Sequence, residues 1–139
     1  MIYIIQGNEE YFIRQKLAEL CKGYEKEVLY MDGNSKDFSL LTMIDECHSQ
    51  SLFSDKNFVL VEDPFFFSKK ISDNELSVLE DYINHPSYET ELIFYTYKNQ
   101  FNSHLKAYKS VSSNARIFDL NSYDYRNFST YVGQRINEE

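Results

Sequence analysis

The residues best suited to chemistry follow the strand-like segments of the sequence. Glu62 and Asp63 come directly after the apolar run 58–61. Two adjacent carboxylates at the end of a strand could hold Mg²⁺, which prefers oxygen ligands. In nucleotide-binding proteins such an ion serves bound phosphates, and these need a cradle of backbone amides and an ammonium group. The acidic pair therefore gains a function only if the chain also has that cradle.

The first strand-like segment lacks such a cradle. It leads into Gly7 and Asn8, and the chain contains no Gly-Lys pair. Glu9 and Glu10 then stand where a helix start would attract phosphate, and their charge would repel it. We predict that the chain holds no nucleotide and no cofactor.

Other catalytic and metal-binding patterns are also missing from the sequence. No nucleophile elbow occurs, and His48, His85 and His104 are scattered along the chain. Cys21 and Cys47 both fall inside helical patterns, which favours buried thiols over a disulfide. We predict no catalytic residues, no metal site and no enzyme activity for the chain on its own.

Length and charge narrow the class of protein further. The 139 residues fit one domain. The net charge of −8 argues against direct binding to a nucleic-acid duplex, because such binding depends on lysine and arginine contacts to phosphates. No apolar run reaches the roughly 20 residues of a membrane span, and segment 1–7 lacks the features of a signal peptide. We expect a cytoplasmic protein.

Strand-like and helical patterns alternate along the chain, as in a sheet of parallel strands joined by helices. The sequence therefore predicts an α/β three-layer sandwich with a mainly parallel five-stranded sheet. The predicted strands are 1–7, 26–33, 57–63, 90–99 and 115–120, and the predicted helices are 8–23, 37–49, 72–83, 103–111 and 123–139.

Finer expectations concern helix caps and apolar faces. Asn8 and Ser72 are predicted helix starts. The second helix is expected to place Phe38, Leu41, Ile44 and Cys47 on one side, by their helical spacing. The aromatic run 65–67 is expected to join the core or a subunit-facing cap, because no basic frame for base stacking surrounds it beyond two lysines.

A short connection before the third strand holds two large apolar residues. Leu52 and Phe53 are enclosed by Gln50, Ser51 and Ser54, where a polar turn is expected. One interpretation is that both side chains fold inward as core. The other is that they are buried in another protein, since apolar side chains exposed in a turn often mark an interface. Periodicity leaves both open.

Several strings, taken in order and spacing, resemble the N-terminal domain of the bacterial DNA polymerase III delta subunit, the clamp-loader subunit that opens the sliding clamp. The resemblance covers almost the whole chain. It is carried by "IYIIQGNEEYFIRQKL" (2–17), "SLFSDKNFVLVED" (51–63), "ETELIFYTYKN" (89–99) and "SYDYRNFSTYVGQRINEE" (122–139).

This resemblance implies a fold like that of AAA+ ATPases, in the P-loop NTPase class, with strand order 5-1-4-3-2 and without a functional P-loop. It also implies a clamp-binding site. Leu52 and Phe53 would act as a hydrophobic plug in a pocket of the clamp, with Ser51 and Gln50 shaping the approach. In this family the residue at position 50 is often hydrophobic, so Gln50 departs from the pattern.

The resemblance further implies that residues 1–139 are the AAA+-like domain of a longer protein, whose lid and collar domains lie elsewhere. The implied partners are the sliding clamp (beta subunit) and the gamma/tau and delta prime subunits, with DNA contacted only in the assembled complex. The chain would then be a non-catalytic part of the DNA-directed DNA polymerase holoenzyme, a nucleotidyltransferase, at the nucleoid-associated replisome.

A receiver-type signalling domain, phosphorylated on Asp63, is the alternative hypothesis. It needs an acidic pair after the first strand and a lysine after the fifth. The tip of the first strand has Gln6, Gly7 and Asn8 before any acid, and no lysine follows the fifth strand.

Overall fold

The computed structural model describes residues 1–49 and 54–121. Strands and helices alternate in them, as predicted. The predicted last helix, 123–139, lies outside the described residues. The strands are β1 (Ile2–Gln6), β2 (Val28–Asp32), β3 (Asn57–Glu62), β4 (Thr90–Thr96) and β5 (Arg116–Asp119), and the helices are α1 (Glu10–Leu20), α2 (Leu40–Cys47), α3 (Asp73–Asn84) and α4 (Lys106–Ser112), with short 3₁₀ turns at Glu25–Glu27 and Phe65–Phe67.

The five strands form one parallel sheet in the order β2-β3-β4-β1-β5. Viewed from the other edge this is the predicted order 5-1-4-3-2, so the fold prediction is confirmed. β1 lies between β4 and β5, with Ile4 opposite Phe94 on one side and Ile117 on the other. The apolar strands β1, β3 and β4 are central, where parallel strands are covered on both faces.

Helices cover both faces of the sheet. Alternate residues of β1 enter different cores: Ile2 and Ile4 pack with α2, α3 and α4, whereas Tyr3 and Ile5 pack with α1. The result is the expected three-layer sandwich. No helix in residues 1–49 and 54–121 combines the length and apolar character needed to cross a membrane.

The aromatic turn, Phe65–Phe67, belongs to the core. Phe66 and Phe67 are buried, and the Phe67 ring centroid lies 5.1 Å from that of Phe94, 5.0 Å from Phe101 and 5.3 Å from Tyr108. Edge-to-face packing of this kind adds to the stability gained from burial alone. Of the two predicted roles for this run, Phe66 and Phe67 take the core role.

The predicted apolar face of the second helix was wrong at Leu41, which is 62% exposed. Ser39 caps α2 by accepting a hydrogen bond from the Thr42 amide at 3.1 Å, so the helix begins at Leu40. Leu40, Met43 and Cys47 then face the core. The prediction started the helix too early, before the cap that sets its register.

The other predicted caps had opposite outcomes. Ser72 caps α3 as expected, accepting a hydrogen bond from the Glu75 amide at 3.1 Å. The cap predicted at Asn8 was wrong, because Glu9 takes that position with no side-chain cap bond. Both cysteines are buried and free, as predicted. Burial raises the pKa of Cys21 to about 11 and of Cys47 to about 12.

Candidate functional site

The carboxyl edge of the sheet, where ligands of open α/β folds bind, is closed at β1 by the protein's own groups. Gln6 is buried, and its Nε2 donates to Asp119 Oδ2 at 3.2 Å. Its Oε1 accepts a hydrogen bond from the Phe101 amide at 3.2 Å. The Gln6 carbonyl accepts from the Leu120 amide at 2.9 Å. Gln6 therefore ties β1 to β5 and to the segment after β4.

The loop after β1 is tightly occupied as well. The Gly7 carbonyl accepts a hydrogen bond from the Asn99 amide at 3.1 Å. A Cβ at Gly7 would lie 3.3 Å from side-chain atoms of both Ile13 and Leu120. α1 then begins with Glu10, which pairs with Arg14 at 2.6 Å. A phosphate at the start of α1 would therefore meet the Glu10 carboxylate, and this helix start has no lysine to bind it.

At the end of β3 the two predicted acids have separate surroundings. Asp63 has a positive φ of 48°, which turns the chain into Pro64. Its carboxylate lies 3.4 Å from Lys98 Nζ, at the end of the neighbouring strand. Burial, followed by repulsion from Asp63 and Asp32, raises the pKa of Glu62. Within residues 1–49 and 54–121 there is no cluster of three or more aspartate, glutamate, cysteine or histidine side chains that could hold a metal ion.

A cleft of about 500 Å³ lies beside Glu62, on the α1 face of the sheet. Tyr30, Tyr95 and Tyr97 line it together with Asp32 and Glu62. Burial raises the pKa of Tyr95 and of Tyr97. Sequence reasoning missed this cleft, although tyrosines near the ends of strands predicted to be parallel were a signal for it.

At the opposite, amino edge of the sheet, hydrogen bonds hold both ends of the connection between α2 and β3. Asn57 Nδ2 donates to the Ser49 carbonyl at 2.9 Å. The buried Thr90 hydroxyl lies within hydrogen-bond distance of three oxygens: the Cys47 carbonyl, Asn57 Oδ1 and Ser87 Oγ. We call Ser49, Asn57, Thr90 and the Cys47 carbonyl the stem clasp. It joins the end of α2 to the starts of β3 and β4.

The far side of the same connection is also tied to the domain. Tyr24 Oη donates to Asp55 Oδ1 at 3.2 Å, and the Lys56 amide donates to Ser54 Oγ at 3.3 Å. Lys56 Nζ lies 3.5 Å from a carboxylate oxygen of Glu91 on β4. The two ends of the connection are therefore fixed relative to the sheet.

The predicted clamp-binding residues Gln50, Ser51, Leu52 and Phe53 lie outside the described residues. The described residues on either side of them are Ser49, which belongs to the stem clasp, and Ser54 and Asp55. Sequence reasoning missed the clasp. Its signal was weak, since Ser49, Asn57 and Thr90 are ordinary polar residues at the ends of predicted elements.

These observations define the class of protein. Five parallel strands in this order, with helices on both faces and a closed first loop, form a AAA+-like module without a functional P-loop. The family model for "DNA polymerase III, delta subunit" matches residues 3–121. The chain therefore belongs to the DNA polymerase III delta-subunit family.

Solved structures with a similar fold include the following two. The Bacillus subtilis DNA clamp loader delta protein (YqeN) matches with a TM-score of 0.74 at 15% identity, over 94% of this chain and 41% of that one. A Thermotoga maritima DNA polymerase III gamma subunit-related protein matches with a TM-score of 0.62 at 13% identity, over 91% of this chain and 42% of that one. The chain thus spans less than half of either structure. No curated protein matches it.

The sheet order also bears on the receiver hypothesis. Receiver-type sheets have the order 2-1-3-4-5, in which β1 lies between β2 and β3. Here β1 lies between β4 and β5, and β2 is at the edge. Asp63, the residue that would be phosphorylated, is paired with Lys98. Neither the family nor the sheet order supports a receiver.

Proposed function

We propose that this chain is the clamp-binding module of a non-ATPase clamp-loader subunit, which binds the sliding clamp and helps to open it for loading onto DNA. The observation that carries the proposal is the delta-subunit family match over residues 3–121. The closed first loop agrees with a module that does not hydrolyse ATP. The module would act in the cytoplasm, at the nucleoid-associated replisome.

The clamp-binding site is the connection that holds Gln50, Ser51, Leu52 and Phe53. Leu52 and Phe53 enter a pocket of the clamp, and Ser51 and Gln50 shape the approach. The stem clasp supports this assignment, because a docking turn binds with less loss of entropy when its ends are already fixed. Small polar residues beside the apolar pair keep the unbound turn compatible with water.

The longer protein associates with the gamma/tau and delta prime subunits mainly through further helical domains, a lid and a collar. Support comes from the share of the Bacillus subtilis delta protein that this chain matches, 41% of its length. DNA contact belongs to the assembled complex, because the net charge of −8 gives this module little affinity for phosphates.

Truncating the plug tests the proposal. Leu52→Ala with Phe53→Ala should weaken binding to the sliding clamp of the same source by at least roughly a hundredfold, since buried anchors commonly cost 2 kcal/mol or more each when truncated. Surface plasmon resonance measures the affinity, and thermal unfolding shows whether the variant remains folded. The melting temperature should change little.

The matched control is Tyr30→Ala with Leu41→Ala, which removes one aromatic and one aliphatic side chain that are 67% and 62% exposed. This variant should bind the clamp as the unaltered chain does. Unchanged affinity of the plug variant would reject the clamp-binding role. Loss of folding in the plug variant alone would favour the core interpretation of Leu52 and Phe53.

A further inference from the structure

A second recess lies between the aromatic turn and the starts of α3 and α4, at the carboxyl side of the sheet. Its volume is about 210 Å³. The floor is apolar, with Phe66 and Ala107 buried and Ile71, Leu76 and Leu105 half-buried. A closed cavity of about 150 Å³ takes up a benzene ring. This recess therefore has room for one large apolar side chain.

The rim of the recess is basic. Lys69, Lys70 and Lys106 are exposed around it, and His104 adds a fourth nitrogen-bearing side chain. Asp73 is the acid among its lining residues. Across residues 1–49 and 54–121, none of these three lysines forms an ion pair with a carboxylate. Lys69 Nζ lies 5.7 Å from the centroid of the Phe65 ring. The recess is thus lined by three lysines that have no carboxylate partner in the described part of the chain, whose net charge over all 139 residues is −8.

The apolar floor and the cationic rim together indicate which class of partner fits the recess. A nucleic acid would use exposed aromatic faces for stacking, but the Phe66 ring at the floor is fully buried. A membrane would require apolar side chains that protrude, whereas here they line a recess. An acidic peptide segment with one apolar residue matches both parts.

We propose that this recess docks a short acidic segment of a partner protein. One large apolar side chain of the segment fills the recess, and flanking aspartate or glutamate side chains pair with Lys69, Lys70 and Lys106. This surface is distinct from the clamp-binding turn, which joins β3 at the opposite edge of the sheet. The two surfaces can be tested separately.

The experiment is selection from a phage-displayed library of random peptides on the 139-residue chain. Selected peptides should carry at least one large apolar residue and two or more carboxylates. A labelled synthetic copy should lose at least roughly tenfold in affinity in Lys69→Glu with Lys70→Glu, measured by fluorescence anisotropy. The same copy with its acids changed to amides should bind the unaltered chain at least roughly tenfold more weakly.

The control variant is Lys22→Glu with Lys26→Glu, which changes the net charge equally at exposed lysines away from the recess. It should keep the peptide affinity within about twofold, since distant exposed charges are screened by salt. Both variants should keep their affinity for the sliding clamp.

Three outcomes would overturn the proposal. The library could yield no binding peptide or only peptides without acids. The selected peptide could bind Lys69→Glu with Lys70→Glu as well as it binds the unaltered chain. Finally, single-stranded DNA or phosphatidylserine vesicles could bind in place of peptides and lose affinity in that variant.

Discussion

The two edges of the sheet differ in which segments their hydrogen bonds join. At the carboxyl edge, where relatives of this fold class hold nucleotide, Gln6 and the Gly7 carbonyl are bonded to the segments that follow β4 and β5. At the amino edge, Asn57 and Thr90 bond to the end of α2, at the Ser49 and Cys47 carbonyls. The proposed functions of the two edges follow this difference: the hydrogen bonds at β1 oppose nucleotide binding, whereas those at the amino edge support a docking turn by fixing the residues on either side of it.

The largest expected effect tests how tightly the carboxyl edge is closed. A Cβ at Gly33 would lie 2.4 Å from Pro64 Cα and 2.8 Å from the Glu62 carbonyl oxygen. Both are backbone atoms, so side-chain rotation cannot relieve the contact. Gly33→Ala should lower the free energy of unfolding by at least about 2 kcal/mol, measured by urea denaturation.

Gly23→Ala is the matched control for that change. Gly23 has a φ of +88°, but an added Cβ would meet nothing within 4 Å. Its cost is backbone strain alone, about 1 kcal/mol. Equal losses in the two variants would contradict the claim that the backbone around Gly33 is closely packed.

The next prediction compares the two edges of the sheet directly. β4 has a buried threonine at each end, so the same substitution can be made at either edge. Thr90 and Thr96 are each 1% exposed. Thr90→Val removes the hydroxyl donor that bonds the Cys47 carbonyl in the stem clasp, which should cost about 1–3 kcal/mol in unfolding free energy. If the proposed clamp-binding turn depends on the clasp, clamp affinity should also fall by roughly tenfold.

Thr96→Val is the control for Thr90→Val. The Thr96 hydroxyl accepts a hydrogen bond from the Lys98 amide at 3.0 Å, so its loss should also reduce stability. Clamp affinity should not change, since Thr96 belongs to the carboxyl edge. If both variants, or neither, weaken clamp binding, the clasp does not position the turn.

The fold was predictable because its signals are local and repeated. Apolar runs bounded by Gly7 and Gly33, and a serine cap such as Ser72, gave the order of elements directly. Strand order came from the family resemblance, because periodicity carries no information on which parallel strands are neighbours. Helix α2 shows the limit, since its apolar face depends on whether the helix begins at Leu40 or earlier.

The sites were harder to predict because they depend on contacts between distant segments. Thr90 reaches the Cys47 carbonyl across 43 residues, and Gln6 reaches Asp119 across 113. Neither pair has a spacing that a motif would reveal. The sequence indicated only that the first loop lacks a phosphate cradle; that Gln6 and the Gly7 carbonyl close this loop could not be predicted.

A smaller effect concerns Glu62. Because burial and nearby carboxylates raise its pKa in the folded protein, the folded state binds this proton more tightly than the unfolded state does. The ionised form therefore costs stability above the raised pKa, and the cost disappears below about pH 4.3, the ordinary pKa of glutamate. Glu62→Gln should be slightly more stable than the unaltered chain at pH 7, by less than about 1 kcal/mol, and not at pH 4.

Urea denaturation at the two pH values measures this difference. The control is Glu89→Gln, which removes the same charge from an exposed side chain. If Glu62→Gln destabilises the protein at pH 7, or if its gain persists unchanged at pH 4, the carboxylate is not held in an unfavourable environment.

The smallest expected effect is on nucleotide binding, where titration of ATP with Mg²⁺ should give no heat by calorimetry. Two features oppose nucleotide binding, the acidic charges at the start of α1 and the missing phosphate cradle, and one variant separates their effects. Glu9→Gln with Glu10→Gln removes the repulsive charges at the start of α1 but leaves the Gly7 carbonyl bonded to Asn99 and supplies no lysine. This variant should also give no heat, because the missing cradle is sufficient to prevent binding. Binding in the variant alone would make charge the deciding factor, and micromolar binding by the unaltered chain would show that the carboxyl edge is open to nucleotide.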